Sequence, residues 1–332
     1  MSSGVGKNNF IVRTDQYPQL REFKDVLDKY DRVFELFKNH LDESYTVVNQ
    51  EPVSDEEALK GVNQNHLKSL KSTGSNQGQL QAEFLGSGGT MEAIEKALDT
   101  GGTAYHIGGG YHHATKKKST RMDLINDMVV GIENTLENDD LETVLVVDLD
   151  VHHGDGTSDV YFDRPELTQI SAHGWGIYPS TGWIDEIGEG EAKGNQINIP
   201  MPKGTSDDVY NAILEDIIPE VVDQVDPDLT VYQSGVDPHA QDSGGNLDLT
   251  LQGLYRRDSI VAEAVDGSVA VDSGGGYGPR AAEANVNTMA AFAGEDIVFE
   301  DELNDETPEE VKDKAQRRKE DLAENLDSWY DF

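Results

Sequence analysis

The chain of 332 residues contains no cysteine. Without thiols it cannot form disulfides, bind a metal through thiolates or use a cysteine nucleophile. Any metal ion must therefore be held by histidine, aspartate or glutamate side chains. The length allows one large α/β domain with a full core as well as two or three small domains.

Basic residues are scarce: 26 Lys and Arg stand against 64 Asp and Glu, which gives a formal net charge of −38. This charge disfavours direct binding to nucleic-acid phosphates and to anionic membrane surfaces. Because the acidic excess extends along the whole chain, we expect adaptation to a salt-saturated cytoplasm, as in a halophilic archaeon. An ordinary acidic protein is the alternative.

Long hydrophobic runs are also absent. No apolar segment approaches the ~18 residues that a membrane-spanning helix needs. The first ten residues, MSSGVGKNNF, have no apolar signal-peptide core. We therefore expect a cytoplasmic protein with no membrane segment.

Short apolar runs alternate with segments of helical period. The runs predict strands buried on both faces of a parallel sheet, and the periodic segments predict helices between them. This alternation indicates a doubly wound α/β domain, which binds ligands at the carboxyl ends of its strands. The predicted strands are 103–107, 144–147, 169–171, 229–233 and 269–271, and the helical faces begin at Ile125, Val209 and Leu251.

No linker divides the region 9–293, which we predict to be one domain, and residues 294–332 form an acidic tail. Within the tail, the sequence Thr307-Pro308-Glu309 predicts a helix start. Thr307 would be the N-cap and Pro308 the first helical residue.

Six of the nine histidines lie in or beside loops that follow predicted strands. The densest patch reads DLDVHHGD and begins at Asp148. Residues two apart on a strand point to the same side, so Asp150 and His152 can present a carboxylate and an imidazole to one zinc ion. Asp148 and Asp155 are then free to orient histidines. An acidic turn at a strand end is the alternative.

A third metal ligand should come from another strand end, and Asp237 follows the predicted strand 229–233. A plain Asp-Pro turn is the alternative. Two carboxylates and one imidazole leave a zinc position open for water, which is typical of catalytic sites. Bound zinc lowers the pKa of that water to ~7.

Two glycine-rich loops carry further candidate residues. The segment GGGYHHA supplies His112 and His113, whose imidazoles suit general acid–base catalysis near neutral pH. Its spacing is not the GxGxxG of a dinucleotide site. The loop SGGGYGP carries Tyr277, whose hydroxyl can donate to a developing oxyanion, although a simple turn is the alternative.

In chain order, the motifs GGGYHHA, VVDLDVHHGDGT, SAHGWGIYPSTG, SGVDPHAQD and SGGGYGP resemble the zinc-dependent histone deacetylase family. That superfamily also includes acetoin-utilization proteins and acetylpolyamine amidohydrolases. The resemblance spans roughly residues 106–279. It implies an arginase-like three-layer α/β/α fold with a mainly parallel sheet of about eight strands, and it identifies 9–293 as a deacetylase-like catalytic domain.

The resemblance also implies metal sites. The family's zinc ligands, one ion per chain, fall on Asp150, His152 and Asp237, the same three residues that the spacing indicates. Family members also bind a structural potassium ion. Its ligands would be Asp148, Asp150, His152, Ser171 and Ala172.

Catalytic and substrate-binding roles follow from the same resemblance. The catalytic set falls on His112, His113, Asp148, Asp155 and Tyr277. The substrate-binding set falls on Gly110, Met122, Tyr178 and Gly275. Most relatives have Gly-Phe-Cys where this chain reads Arg121-Met122-Asp123. Met122 therefore replaces an aromatic wall, and a pair of charges is expected beside the pocket.

These residues predict a zinc amidohydrolase that removes an acetyl or small acyl group from an amine nitrogen, in acetylated protein lysine or an acetylpolyamine. The sequence leaves open which of His112 and His113 is the general base, and it leaves the oligomeric state open. One alternative is an arginase-like ureohydrolase. His239 argues against it, because a second metal would need an aspartate there. Another alternative is a non-hydrolysing acyl-lysine binder with a structural zinc.

Overall fold

A computed structural model of the protein describes residues 9–14, 16, 24–74, 77–120, 122–138 and 141–332. Eight strands in this part of the chain form one sheet in which all neighbouring strands are parallel. Their spatial order is β2-β1-β3-β8-β7-β4-β5-β6. The strands are β1 Asn9–Arg13, β2 Thr46–Asn49, β3 Thr103–His106, β4 Val144–Asp148, β5 Leu167–Gly174, β6 Gln196–Met201, β7 Leu229–Gln233 and β8 Val269–Asp272.

Helices cover both faces of the sheet, because parallel strands need a crossover between them. The helices predicted from Ile125, Val209 and Leu251 are confirmed as α5, α7 and α8. The bounds in the described residues are α1 Lys24–His40, α2 Asp55–Gly61, α3 Gln64–Ser72, α4 Gln77–Thr100, α5 Asp127–Asn138, α6 Asp155–Tyr161, α7 Asp207–Val225, α8 Leu251–Ala264, α9 Ala281–Ala293 and α10 Glu309–Leu326.

Alternate residues of each central strand enter two different cores. In β4, Leu145 and Val147 pack into the core beneath α1 and α7–α10, whereas Val144 and Val146 pack against α4 and α5. All five residues of β4 are buried. The three-layer α/β/α arrangement with an eight-stranded sheet is therefore confirmed. Because β3, β8, β7 and β4 are adjacent and parallel, the loops that follow them all lie at the carboxyl edge of the sheet.

The tail contains the expected helix, but its start differs from the prediction. α10 begins at Glu309, and Pro308 occupies the N-cap without a side-chain capping bond. The Thr307 hydroxyl instead donates to Asp208 Oδ1 at 2.5 Å, and its Oγ1 accepts from the Ser206 amide at 2.9 Å. Thr307 thus joins the tail to the start of α7 rather than capping α10.

Within the described residues, no helix is both long enough and apolar enough to cross a membrane.

Candidate active site

A small pocket of about 120 Å³ opens where the loops after β3, β4, β7 and β8 meet. A larger cleft of about 590 Å³ lies between α2, α3 and α4. Its two charged lining residues, Asp55 and Lys71, form an ion pair with each other. The small pocket, by contrast, is lined by several acidic and imidazole groups gathered at one point, so it is the candidate site.

Asp150, His152 and Asp237 form a group that can hold a metal ion. Their ligand atoms all lie within 4.8 Å of one another. His152 Nδ1 lies 3.1 Å from Asp150 Oδ1 and 3.2 Å from Asp237 Oδ2. Burial lowers the pKa of His152, but the two carboxylates outweigh it and raise the pKa to about 11. The carboxylates of Asp150 and Asp237 therefore stabilise a positive charge between them.

Backbone amides fix both carboxylates of this group. The Val151 amide donates to Asp237 Oδ1 at 2.8 Å, and the Gly275 amide donates to Asp150 Oδ2 at 3.1 Å. The strand geometry used to pair Asp150 with His152 does not apply. β4 ends at Asp148, so both residues lie in the loop that follows it.

Each of the two adjacent histidines has its own carboxylate. His112 Nδ1 lies 2.7 Å from Asp148 Oδ2, and His113 Nδ1 lies 2.6 Å from Asp155 Oδ1. A carboxylate can only accept, so each histidine carries its proton on Nδ1 and keeps Nε2 for the pocket. The His112 Nε2 atom lies 3.8 Å from Asp150 Oδ1. The predicted pairing of both histidines with these aspartates is present in the structure.

Burial opposes the charging of His112 but does not determine its protonation. It lowers the pKa, whereas the Asp148 and Asp150 carboxylates raise it to about 10. The Asp148 side chain is fully buried, while that of Asp155 is 27% exposed. The two His–Asp pairs therefore differ in their access to solvent.

Tyr277 lies at the mouth of the pocket and is 53% exposed. Its backbone amide and that of Gly278 both donate to Asp242 Oδ2 at 2.7 Å. Desolvation, and then Asp123 and the metal-group carboxylates, raise the pKa of Tyr277 above its ordinary value. The hydroxyl therefore keeps its proton at neutral pH and can donate it in a hydrogen bond.

Lys29 of α1 is hydrogen-bonded to the backbone of the loop that carries Tyr277. Its Nζ donates to the carbonyls of Gly274 at 2.8 Å and Gly275 at 3.3 Å, and it lies 4.9 Å from the Tyr277 ring centroid. Burial lowers the pKa of Lys29 to about 8, against the opposing effect of nearby carboxylates such as Asp237.

The predicted substrate-binding residues lie around this pocket. Gly110, Met122 and Gly275 line it. Tyr178 is 49% exposed and meets the His113 ring edge-on, with centroids 4.8 Å apart. Met122 is 59% exposed, so both side chains stand at the rim.

Of the pair of charges expected beside the pocket, the described residues include Asp123, which lines the pocket. Asp123 is buried, and its Oδ2 accepts the His113 amide at 2.8 Å. The aspartate therefore supports the histidine loop as well as lining the pocket. Arg121 lies outside the described residues.

The predicted potassium ligands cluster at the ends of β4 and β5. Asp148 and Ser171 are register partners in the sheet, and both are buried. The Ala172 carbonyl accepts from the Tyr210 hydroxyl at 3.2 Å. The donors in this region are mainly oxygens, as a hard cation requires.

Several residues that support the site were missed by sequence reasoning. Asp242 could have been found, because it ends the motif that carries Asp237. Lys29 had no local signal, since it lies 245 residues before the loop it contacts. The Glu83 carboxylate in α4, which accepts the amides of Leu124 and Ile125, was hidden in a glycine-rich segment.

An all-parallel α/β sheet with a candidate metal group and two His–Asp pairs at its carboxyl edge defines a protein of the arginase/deacetylase-like class. Residues 31–293 match the histone deacetylase domain family. The chain belongs to this family.

Individual relatives agree with this assignment. A probable deacetylase from Archaeoglobus fulgidus is 31% identical over 228 residues, which cover 66% of this chain and 63% of that protein. Histone deacetylase 8 from Xenopus laevis is 31% identical over 217 residues, which cover 64% of this chain and 66% of that protein. The chain thus spans a little under two thirds of the length of these relatives.

A solved structure shares the fold. The crystal structure of an HDAC homolog from Aquifex aeolicus superimposes with a TM-score of 0.80 at 24% sequence identity. The match covers 94% of this chain and 100% of that one. An HDAC homolog complexed with SAHA matches equally well.

Proposed function

We propose that the protein is a zinc-dependent amidohydrolase that removes an acetyl or related small acyl group from an amine nitrogen. The observation that carries this proposal is the convergence on one pocket of the group Asp150, His152 and Asp237 with two histidines and Tyr277. The substrate class would be acetylated protein lysine or an acetylated small amine such as an acetylpolyamine.

Zinc suits the donor set of this group. One imidazole nitrogen and two carboxylate oxygens are ligands that zinc accepts, and three protein ligands leave a position open for water or substrate. When bound, zinc supplies Lewis acidity and lowers the pKa of coordinated water to ~7. Asp150, His152 and Asp237 would hold it, and we expect one ion per chain.

The chain's own residues would move protons and stabilise charge around this position. We assign His113 as the general base, because its Nδ1 is held by Asp155 and its ring faces Tyr178 at the rim. His112, held by Asp148, would steady the site and pass a proton to the leaving amine. Tyr277 would donate its hydroxyl proton in a hydrogen bond to the oxygen of the scissile carbonyl as negative charge develops there.

The rim supports a narrow apolar entrance for an acylated chain. Tyr178 and Met122 present an aromatic face and a flexible thioether, and Gly110 and Gly275 line the pocket beside them. We further propose a structural potassium ion among the oxygen donors of Asp148, Asp150, His152, Ser171 and Ala172. A salt-adapted, cytoplasmic setting stays part of the proposal.

The ureohydrolase alternative receives no support from the position that would hold a second metal. His239 Nε2 lies 2.9 Å from Asp301 Oδ2, in the segment after α9. The Asp301 carboxylate also accepts the Leu251 amide at 3.2 Å. His239 therefore ties the tail to the loop of Asp237.

Acetate release tests the proposed function directly. The zinc-loaded protein in molar KCl would be given acetyl-lysine peptides and acetylpolyamines side by side. We expect release from at least one class, and its loss in His113→Ala, because the variant lacks the base. Equal release by wild type and His113→Ala would contradict the assigned role. Silence on both classes, with zinc bound and the fold intact, would favour a non-hydrolysing binder.

A further inference from the structure

A second buried polar cluster lies beneath the pocket. It joins Thr90 of α4, His106 at the end of β3, Asp127 at the start of α5 and Asp272 at the end of β8. All four residues are 1% exposed or less. The proposed mechanism uses none of the four.

The Asp127 carboxylate binds the backbone of the histidine loop. Its Oδ2 accepts the Gly110 amide at 2.9 Å, and its Oδ1 accepts the Tyr111 amide at 2.7 Å. The Thr90 hydroxyl donates to the same Oδ2 at 2.6 Å. Tyr111 directly precedes His112, so Asp127 fixes the approach of the chain to both histidines.

The second carboxylate, Asp272, is bonded very differently. Its Oδ1 lies 3.0 Å from Thr90 Oγ1 and 2.9 Å from His106 Nδ1, while its buried Oδ2 has no hydrogen-bond partner in the described structure. The single hydroxyl proton of Thr90 is already given to Asp127. One hydroxyl proton cannot serve both contacts equally, and a proton on Asp272 would supply the contact with Thr90 at 3.0 Å.

Charge leads to the same conclusion. The ionisable groups that face Asp272 are His106 and Tyr105 from β3 and Asp127 from α5, while α4 contributes the neutral Thr90. None of these is a fixed cation, and an unpaired buried carboxylate is costly. Burial raises the pKa of Asp272 to about 8, although its contact with Thr90 lowers it.

The ligand atoms of His106, Asp127 and Asp272 lie close enough together for a metal ion. The Thr90 hydroxyl oxygen, however, already bridges the two carboxylates, at 2.6 Å from Asp127 Oδ2 and 3.0 Å from Asp272 Oδ1. Gly109, with φ +71°, covers the cluster so closely that a Cβ would lie 2.5 Å from Asp127 Oδ2 and 2.8 Å from Asp272 Oδ1. The groups therefore bind one another.

We propose that this cluster positions the catalytic histidine loop, with Asp127 acting as an ionised acceptor and Asp272 as a protonated, neutral carboxyl group. Asp127 and Asp272 are positioning residues, because neither lines the pocket. The functional part of this inference rests on the proposed deacylase activity, whereas the assignment of the proton to Asp272 is independent of that activity.

The two carboxylates should therefore respond differently to the same substitution. Asp127→Asn replaces one accepting oxygen with an NH2 group, so the amides of Gly110 and Tyr111 cannot both stay bonded. Asp272→Asn replaces a neutral carboxyl group with a neutral amide that can still donate to Thr90. We expect kcat of Asp127→Asn to be at least tenfold below that of Asp272→Asn, with zinc content equal in both.

Asp228 offers a matched control at the opposite edge of the sheet. Its Oδ2 accepts the amides of Glu142 at 2.9 Å and Thr143 at 3.0 Å, together with the Thr143 hydroxyl at 3.2 Å. Asp127 binds the same kinds of donor, two backbone amides and a threonine hydroxyl, but Asp228 is exposed, binds them through one oxygen and lies remote from the pocket. Asp228→Asn should leave kcat unchanged, which separates loop positioning from a general loss of carboxylate bonding.

An infrared difference spectrum tests the proton without using activity. Burial, followed by Asp272, raises the pKa of Asp127 to about 6, so the spectrum is recorded at pH 7, where wild type should show the C=O stretch of a buried protonated Asp272. The band should vanish in Asp272→Asn and persist in Asp127→Asn. If Asp127→Asn does not fold, Thr90→Val should shift the same band, because it removes the bridging hydroxyl.

The outcomes distinguish this inference from the proposed function. Absence of acetate release by wild type would overturn the proposed deacylase activity. The infrared band would still show whether Asp272 is protonated. A band that is missing in wild type, or that survives in Asp272→Asn, would overturn the inference. Equal losses of kcat in the two asparagine variants would also overturn it.

Discussion

Each candidate catalytic side chain of this pocket is held by a charged partner from another segment of the chain. Asp148 and Asp155 hold the two histidines through Nδ1, and Asp242 holds the backbone of Tyr277. Hydrogen bonds to charged groups are worth about 1.5–3 kcal/mol each. The geometry of the site is therefore set mainly by local electrostatic bonds.

Removal of the Tyr277 hydroxyl tests its part in the reaction. A donor aimed at a developing oxyanion contributes ~3–4 kcal/mol, so Tyr277→Phe should lower kcat by about a hundredfold or more. Zinc content and stability should not change, because the exposed ring keeps its place. Steady-state kinetics of acetate release would measure the effect.

Tyr255 is a suitable control for this substitution. Its hydroxyl donates to the Glu295 carbonyl at 2.8 Å on the exposed side of α8, away from the pocket. Tyr255→Phe should leave kcat as it is. Full activity in Tyr277→Phe would show that the tyrosine does not stabilise the transition state.

The motif residues could be predicted because they follow strand ends in short, dense patterns. Asp150, His152 and Asp237 are brought together as expected. Lys29 and the Asp127–Asp272 cluster could not be predicted, because their partners are distant in sequence. The bond from the His113 amide to Asp123 was also hidden, since a sequence shows the charge of a residue but not its hydrogen-bond partner.

At the scale of whole elements, continuous apolar runs indicated the five central strands, and three strands were missed. Strand β2 is mostly exposed at the sheet edge, and β6 contains Pro200. Helix α4 was missed because it contains glycines in its interior. Close packing explains them: a Cβ at Gly88 would lie 1.8 Å from the Glu51 carbonyl oxygen.

Helix α10 is the element that joins the tail to the domain. Its buried residues Ala315, Leu322 and Leu326 pack into the core on the face of the sheet that α7 also covers. Arg318 on the same helix donates to the Pro200 carbonyl at 2.6 Å. The boundary at residue 293 therefore separates two segments that share one core, and it stays a prediction from composition.

Truncation of one buried leucine tests this docking. Leu322 is 1% exposed, so Leu322→Ala should lower the free energy of unfolding by ~2–5 kcal/mol. Leu59 in α2, which is 37% exposed, is the control, and Leu59→Ala should cost less than ~1 kcal/mol. Denaturant unfolding in molar KCl would measure both. Equal small effects would show that α10 contributes little to the core.

For the whole molecule, the net charge of −38 is the dominant electrostatic feature. Repulsion among so many carboxylates destabilises a compact state, and salt screens it. The Debye length falls from ~10 Å at 0.1 M to ~3 Å at 1 M. Adaptation to high salt therefore predicts a protein that needs KCl to stay folded.

Thermal unfolding across a KCl series tests this expectation. The melting temperature should rise steeply between about 0.1 and 1 M KCl, where screening changes most. A neutral osmolyte at equal osmolality should produce a smaller rise, because it does not screen charge. A melting temperature that is flat or falls with KCl would indicate an ordinary acidic protein.

We propose that one zinc ion, held by Asp150, His152 and Asp237, supports hydrolysis of an acylated amine in this pocket. The most direct measurement removes metal with a chelator and then follows acetate release while zinc is added back. We expect release to increase in proportion to bound zinc and to stop increasing at one ion per chain. A fully zinc-occupied, folded protein that releases no acetate from any acylated amine, or that needs two ions, would contradict the account.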